Sequence, residues 1–226
     1  MSEPVLHNLL LTILHARVAQ GDPGRYWIAV EAEKVVGVVL QSPLNFRATL
    51  TPMKPQVVLA MVDAISERGV ALAGVNGDAA TTASFAGQWS ERRKSAATPF
   101  MGMRLYELKE PGETPRVEGE LRQAAQTDRG LIIRWTRAFE DEIGESSEAV
   151  GRDPVQGVVR MAGVYTPPQK RSHGYAAACV HALSKHLRDQ GHRCILYTDL
   201  ANPTSNSIYK RIGYRAVAEA LRYSFE

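Results

Sequence analysis

The sequence predicts an α/β protein in which one strand–helix–strand–helix–strand unit occurs twice. Three observations carry that prediction. Short apolar β-runs alternate with amphipathic stretches of helical spacing along most of the chain. The same order of elements, at similar spacing, runs through the first half and again through the last third. The 226 residues are 44% hydrophobic and 23% charged, the balance of an ordinary globular protein of one large or two small domains.

The first half reads as follows. Leu6, Leu9, Leu10, Ile13 and Val18 recur at helical spacing, and GDPG at 21–24 breaks the pattern. RYWIAVEAEKVVGVVLQSP reads as a hairpin, 26–42, of two β-runs around Glu33-Lys34. RATLTPM is a further short strand. KPQVVLAMVDAISERG carries Val57, Val58, Met61 and Ile65 on one helical face and stops at Gly69. The unit is then a strand, a helix at 54–68, a strand at 70–75, a helix at 80–94 and a strand at 100–108. PGETP at 111–115 is the best linker and divides the chain into domains 1–110 and 111–226.

Beyond the linker, Leu131, Ile132, Trp135 and Phe139 mark a helix, and ESSEAVGRDP reads as a polar, mobile loop. GVVRMAGVYT is a strand ended by Pro167-Pro168. The expected order continues with a helix at 175–190, a strand at 194–200, a helix at 204–212 and a strand at 214–225. That last strand returns antiparallel, because only a short turn precedes it.

Several function classes are excluded. A formal charge of +3 gives no general affinity for nucleic acid, and Arg92-Arg93-Lys94 beside Glu91 reads as a solvated helix end. Cys179 and Cys194 form no CxxC or Cys/His spacing, so no metal site is expected. Both lie in apolar segments and read as buried thiols. The N-terminus has no basic region before its apolar stretch, which reads as an amphipathic helix and not a signal peptide. No run is long enough to span a membrane, and the cytoplasm is the default location.

The informative stretch is Thr166 to Leu183, TPPQKRSHGYAAACVHAL. A helix N-terminus presents unpaired N–H groups and a partial positive charge, which suits phosphate. Gly174 has no Cβ to hold a ligand off the backbone. Lys170 and Arg171 add charge, and Ala176 to Ala178 leave the first turn uncrowded. A strand–loop–helix turn with one glycine is also common as a plain turn. No GxxxxGK[ST] and no GxGxxG is present, so neither a P-loop nor a dinucleotide fingerprint applies. The first half opens its matching helix through TPMKPQ, which has no glycine.

From Val158 to the C-terminus the chain resembles the GNAT family of acyl-CoA-dependent N-acetyltransferases. Arg171-Ser-His-Gly174-Tyr-Ala176 matches the family's [Q/R]-x-x-G-x-[G/A] pyrophosphate loop. NPTSNSIYKRIGY resembles its later motif, in which Asn202 leads Tyr209 by seven residues and Gly213-Tyr214 forms the following turn. The order of elements between them is the family's order. The resemblance implies two GNAT-like units, the first degenerate and without its glycine loop. It implies mixed sheets flanked by helices, with a splayed central strand.

The family resemblance further implies the following roles. The strand Met161–Thr166 offers backbone groups of Val164, Tyr165 and Thr166 to pantetheine. Backbone amides of Arg171, Ser172, His173, Gly174, Tyr175 and Ala176 hold the pyrophosphate. Asn202 contacts the CoA arm or orients the loop. Tyr209 protonates the departing thiolate. Asp199 is the first candidate base, with Glu140 and Glu142 next. Competing readings make Tyr209 a packing residue, Asp199 a turn or cap residue, and the 140–142 acidic run a solvated face. His173 is read as a non-catalytic loop residue. His181 and His186 are placed on the polar side of their helix.

The expected function is an N-acetyltransferase that moves an acetyl group from acetyl-CoA to an amine by direct attack in a ternary complex. The acceptor is a small-molecule amine or a protein or peptide amine. The alternatives are a non-catalytic acyl-CoA-binding module, or an unrelated α/β binder of another phosphate ligand. A homodimer is allowed. The chain departs from the family in one place: no apolar run between Phe139 and Val158 supplies the hairpin that precedes the splayed strand. The hairpin 26–42, a partner chain, or a segment outside this sequence then has to complete that sheet.

Overall fold

Alternating apolar runs and amphipathic stretches give fourteen elements in the computed structural model, which describes residues 3–21, 23–113, 115–144 and 154–226. In chain order they are α1 (Asn8–Gln20), β1 (Arg25–Glu31), β2 (Lys34–Gln41), β3 (Ala48–Leu50), α2 (Pro55–Glu67), β4 (Gly74–Asp78) and α3 (Ala79–Arg93). There follow β5 (Ala97–Leu108), α4 (Arg129–Ile143), β6 (Val158–Met161), α5 (Tyr175–Asp189), β7 (Arg193–Asp199), α6 (Pro203–Arg211) and β8 (Tyr214–Phe225). The strands form one eight-stranded mixed sheet in the order β1-β2-β3-β4-β8-β5-β7-β6. The two strand–helix–strand–helix–strand runs are β3–β5 and β6–β8. Their last strands are exchanged: β8 lies beside β4, and β5 lies beside β7.

The chain divides into two compact units. The first comprises Met1–Leu105, Thr198–Asn202 and Val217–Glu226, and the second Tyr106–Tyr197 and Pro203–Ala216. In the first unit β1 and β2 form the expected antiparallel hairpin. Ala32 and Glu33 both take positive φ in its two-residue turn, the combination that matches strand twist. β3 and β4 pair in parallel, and β8 returns antiparallel to β4. Val58, Met61, Val62 and Ile65 of α2 and Phe85 and Trp89 of α3 are buried against the sheet. Each such side chain contributes about 1.5–3 kcal/mol on burial. Asp78 caps α3 by accepting from the Thr81 N–H at 3.0 Å.

The sequence places the middle strand of this unit at 70–75, whereas it runs over 74–78. The glycines decide this. A Cβ at Gly77 would lie 2.6 Å from the Leu50 carbonyl oxygen, so β4 closes on β3 where side chains are smallest.

In the second unit Tyr106, Leu108, Met161, Val180, Leu196, Ile212 and Tyr214 form the core. β6 pairs in parallel with β7 from Val158↔Arg193 to Met161↔Leu196. It is four residues long, not the ten that the apolar run 157–166 predicts. The hairpin 25–41 pairs with β3, so it does not cover β6, which is the last strand in the order. The loop read at 145–154 falls, but for Pro154, outside the described residues. No helix among the described residues is long and apolar enough to cross a membrane.

Glu107, at the end of β5, is buried, and its carboxylate meets Arg193 at 2.7 Å and also Lys109. Burial pushes its pKa up, but the two cations outweigh burial and hold it below the usual value of 4.5. A depressed carboxylate contributes stability that is complete above 4.5 and is lost as pH falls through the folded value. Glu107→Gln is expected to cost about 1–3 kcal/mol at pH 7 in urea unfolding. The difference from the parent should shrink as the pH falls below 4.5.

Candidate functional site

Past Met161 the chain leaves β7. Gly163 takes φ +66, and Val164, Tyr165 and Thr166 continue half-buried, outside any strand. Val164 packs against the second core, as do Ile208 and Tyr209 of α6. Pro167 is buried, and a short turn at Pro168–Lys170 leads into Arg171. Ser172 and Gly174 then both take positive φ, +64 and +81. Alternation of this kind turns successive N–H groups toward one concavity.

Gly174 is the N-cap of α5 and has no side chain to accept from the first turn. Ala178 donates to the Gly174 carbonyl at 3.0 Å. Among the described residues, no acceptor meets the N–H of Ser172, His173, Gly174, Tyr175, Ala176 or Ala177. The matching helix of the first unit differs. α2 begins with Pro55, which has no N–H, and Val57 donates to Lys54 at 2.9 Å. Of its first three residues only Gln56 offers a free amide, against three at the start of α5.

Side chains shape the rim of this loop. Arg171 donates through Nε to the Thr166 carbonyl at 2.9 Å and forms an ion pair with Glu142 at 2.6 Å. His173 donates from Nδ1 to the Arg171 carbonyl at 2.6 Å, and its ring stacks on Tyr175. Residues 170–174 are exposed. Val117 lies behind Gly174: a Cβ there would sit 3.2 Å from Val117 Cγ1. Trp135 and Phe139 of α4 set their rings against Tyr165 at 6.4 and 6.1 Å.

Tyr209 is half-buried on α6. Its ring meets Tyr214 edge-on at 6.1 Å, and burial raises its phenol above the ordinary value of 10. Its hydroxyl has no hydrogen-bond partner among the described residues. Tyr214, by contrast, is bonded to Ser184 at 2.7 Å. The Gly213-Tyr214 turn is held tightly: Gly213 has φ +104, and a Cβ would lie 1.8 Å from the Glu110 carbonyl oxygen. Gly112 donates to the Ile212 carbonyl at 3.2 Å, which pins the stretch expected as a linker.

The loop residues, Val164 and Tyr209 therefore share one unit. Asp199 and Asn202 lie in 198–202, part of the first unit. Asp199 Oδ1 accepts from the Ala201 N–H at 2.8 Å, and its carbonyl accepts from Asn202 at 3.1 Å, so Asp199 shapes a turn. Two expectations fail on α5. Cys179 is exposed, and only Cys194 is buried, its thiol pushed up to about 11 by burial. His181 is buried and donates from Nε2 to the Gly112 carbonyl at 3.0 Å; it is not on the polar side.

Arg160 and Tyr197 carry no motif and were not legible as site residues. Met161, Cys194 and Leu196 face α5, so strand alternation puts Arg160 and Tyr197 on the other side of the sheet. Burial lowers the Arg160 pKa and raises that of Tyr197, and each partly offsets the other's shift. No group of three His, Cys, Asp or Glu side chains among the described residues is placed to hold a metal ion.

Residues 142–223 match the sequence model of a family described as FR47-like protein. No curated protein matches the chain. Similar solved structures include a GCN5-related N-acetyltransferase from Kribbella flavida, at 15% identity and a TM-score of 0.60. That match covers 96% of this chain and 94% of that one. A GNAT-family acetyltransferase from Colwellia psychrerythraea matches at 12% identity and a TM-score of 0.56, over 100% and 98% of the two chains. A Drosophila protein matches at 11% identity and a TM-score of 0.67, over 97% and 89%. At such identities the likeness is one of fold.

Gly174→Ala and Gly213→Ala are expected to separate cleanly in thermal unfolding. Both force a side chain into positive φ, which costs about 1 kcal/mol or more. Gly174→Ala meets only a valine methyl, whereas Gly213→Ala meets a carbonyl and should destabilise the protein by several-fold more.

Proposed function

On a chain with the GNAT acetyltransferase fold, we propose that the second unit binds acetyl-CoA and transfers its acetyl group to an amine. The observation that carries this reading is the run of six unsatisfied amides around Gly174, which has the length and polarity for a diphosphate. Arg171 and Lys170 supply positive charge at its rim. The backbone of Val164, Tyr165 and Thr166, outside any strand and bonded from Arg171 only at the Thr166 carbonyl among the described residues, is the surface along which the pantetheine arm extends. It does so in the manner of an added strand.

The chemistry asks for three things of this chain. A backbone N–H beside the thioester has to stabilise negative charge on the carbonyl oxygen, and the amide of Val164 is the candidate. The departing thiolate needs a proton, which Tyr209 Oη holds at neutral pH, the ordinary phenol value being 10 and burial raising it further. The acceptor has to be presented as a neutral amine. The roles of Asp199 as base and Asn202 as a CoA contact rest on the family resemblance alone.

The first unit is proposed as a second GNAT-like copy that no longer binds CoA. Its order β3-α2-β4-α3-β5 repeats β6-α5-β7-α6-β8, and Lys54-Pro55 stands where the glycine loop would be. A second reading is a non-catalytic acyl-CoA-binding module. The end position of β6 favours that reading, since no strand among the described residues lies beyond it to wall an acceptor pocket.

Ala176→Glu tests the binding site. A carboxylate in the first turn favours the helix but repels a diphosphate. Melting temperature should hold or rise, while acetyl-CoA affinity in calorimetry falls by about tenfold or more. Absence of acetyl-CoA binding by the parent at millimolar ligand would remove both readings. Thiol release with a panel of amines then separates them. Tyr209→Phe should lower kcat by about tenfold or more at neutral pH; an unchanged rate takes Tyr209 out of the mechanism.

A further inference from the structure

β1 is the first strand in the sheet order, and among the described residues no strand pairs with its outer edge. Strands in this position normally carry a device against pairing: a proline, a central lysine, a bulge or a very short length. β1, RYWIAVE, has none of these over its seven residues. The one irregularity in the hairpin puts the extra residue, Val36, on β2, so β1 itself is continuous. Trp27 is buried against the first core, whereas Tyr26, Ile28 and Val30 on the other face are 44%, 59% and 60% exposed. Val35, opposite Val30, is 57% exposed. This is an apolar row reaching the free edge of a sheet.

The charges of β1 are symmetric about its centre. Arg25 and Glu31 stand at equal distances on either side of Ile28. A second β1 laid antiparallel about Ile28 would place Arg25 opposite Glu31 twice, Tyr26 opposite Val30 twice, and Ile28 opposite itself. Trp27 would lie opposite Ala29, a large residue against a small one. Every pair falls on one face of the pleat. Shifting the centre to Trp27 puts Arg25 opposite Ala29, and shifting it to Ala29 puts Glu31 opposite Trp27. Both ion pairs then disappear. Among the described residues of one chain, the Arg25 side chain bonds only the Gln41 Oε1, at 3.1 Å. Glu31 faces Lys34 across the turn, but no ion pair forms between them among the described residues.

We propose that two copies of this chain associate through β1, as an antiparallel strand pair with its two-fold axis at Ile28. Backbone hydrogen bonds supply the pairing, the apolar row supplies cross-strand contacts, and the two Arg25–Glu31 pairs fix the register. A seven-residue edge buries less than the roughly 1,600 Å² of a standard interface. The dimer therefore depends on concentration and weakens with salt.

Sedimentation velocity of the full chain from ~1 to ~100 μM tests this. A monomer–dimer equilibrium is expected. Ile28→Lys should abolish it with an unchanged circular dichroism spectrum, as the side chain is exposed. Arg25→Glu should weaken it by about tenfold, and Arg25→Glu combined with Glu31→Arg should restore it, because the swapped charges meet again across the axis. A monomer at every concentration, a dimer indifferent to Ile28→Lys, or a double swap no tighter than the single change would each overturn the proposal.

Discussion

The close approach of Gly213 to the Glu110 carbonyl is the contact on which the second unit depends. It lets Lys109 and Gly112 bond the backbone of the α6–β8 turn. Gly112 in turn receives the buried imidazole of His181 on α5. One backbone junction thus fixes the end of β5, the start of β8 and the rotation of α5 about its axis. With α5 held, Gly174 at its N-terminus is held as well. No side chain larger than hydrogen fits the junction, so α5's position follows from a steric fact remote from the loop it presents.

The three helix starts bearing on function use different chemistry for the same problem. α3 satisfies its first turn with Asp78. α2 removes one donor with Pro55 and satisfies another with the Lys54 carbonyl. α5 does neither. Leaving several donors without acceptors costs stability unless water or a ligand meets them. The cost is tolerable here because residues 171–174 are exposed.

Much of this was legible from residue order. The helices at α2, α3, α5 and α6 and the strands β7 and β8 lie within one or two residues of where periodicity and glycine stops place them. The glycine loop stood out because its first-half counterpart lacks it. Strand neighbours were not legible: alternation marks β5 and β8 as strands but carries no trace of their exchange. β6 stops early because pairing with β7 stops, although Ala162 to Thr166 are as apolar as a strand. On α5 the buried face is Ala177, Val180, His181 and Ser184, mostly small or polar residues, so hydrophobicity gave the wrong face for Cys179 and His181. Arg160 carries no motif, and only the sheet register places it.

α4 carries Leu131, Ile132 and Trp135 at helical spacing, yet none of its side chains is buried. Its described attachments to the loop region are two ring contacts with Tyr165 and the Glu142–Arg171 pair. Little apolar surface is lost when such a helix detaches, so its opening free energy lies far below that of global unfolding. Glu142 also holds the guanidinium nearest the free amides. On the proposed function an anion arriving at the loop would compete for that guanidinium, so occupancy of the loop and docking of α4 would be thermodynamically linked, each weakening the other by the same factor.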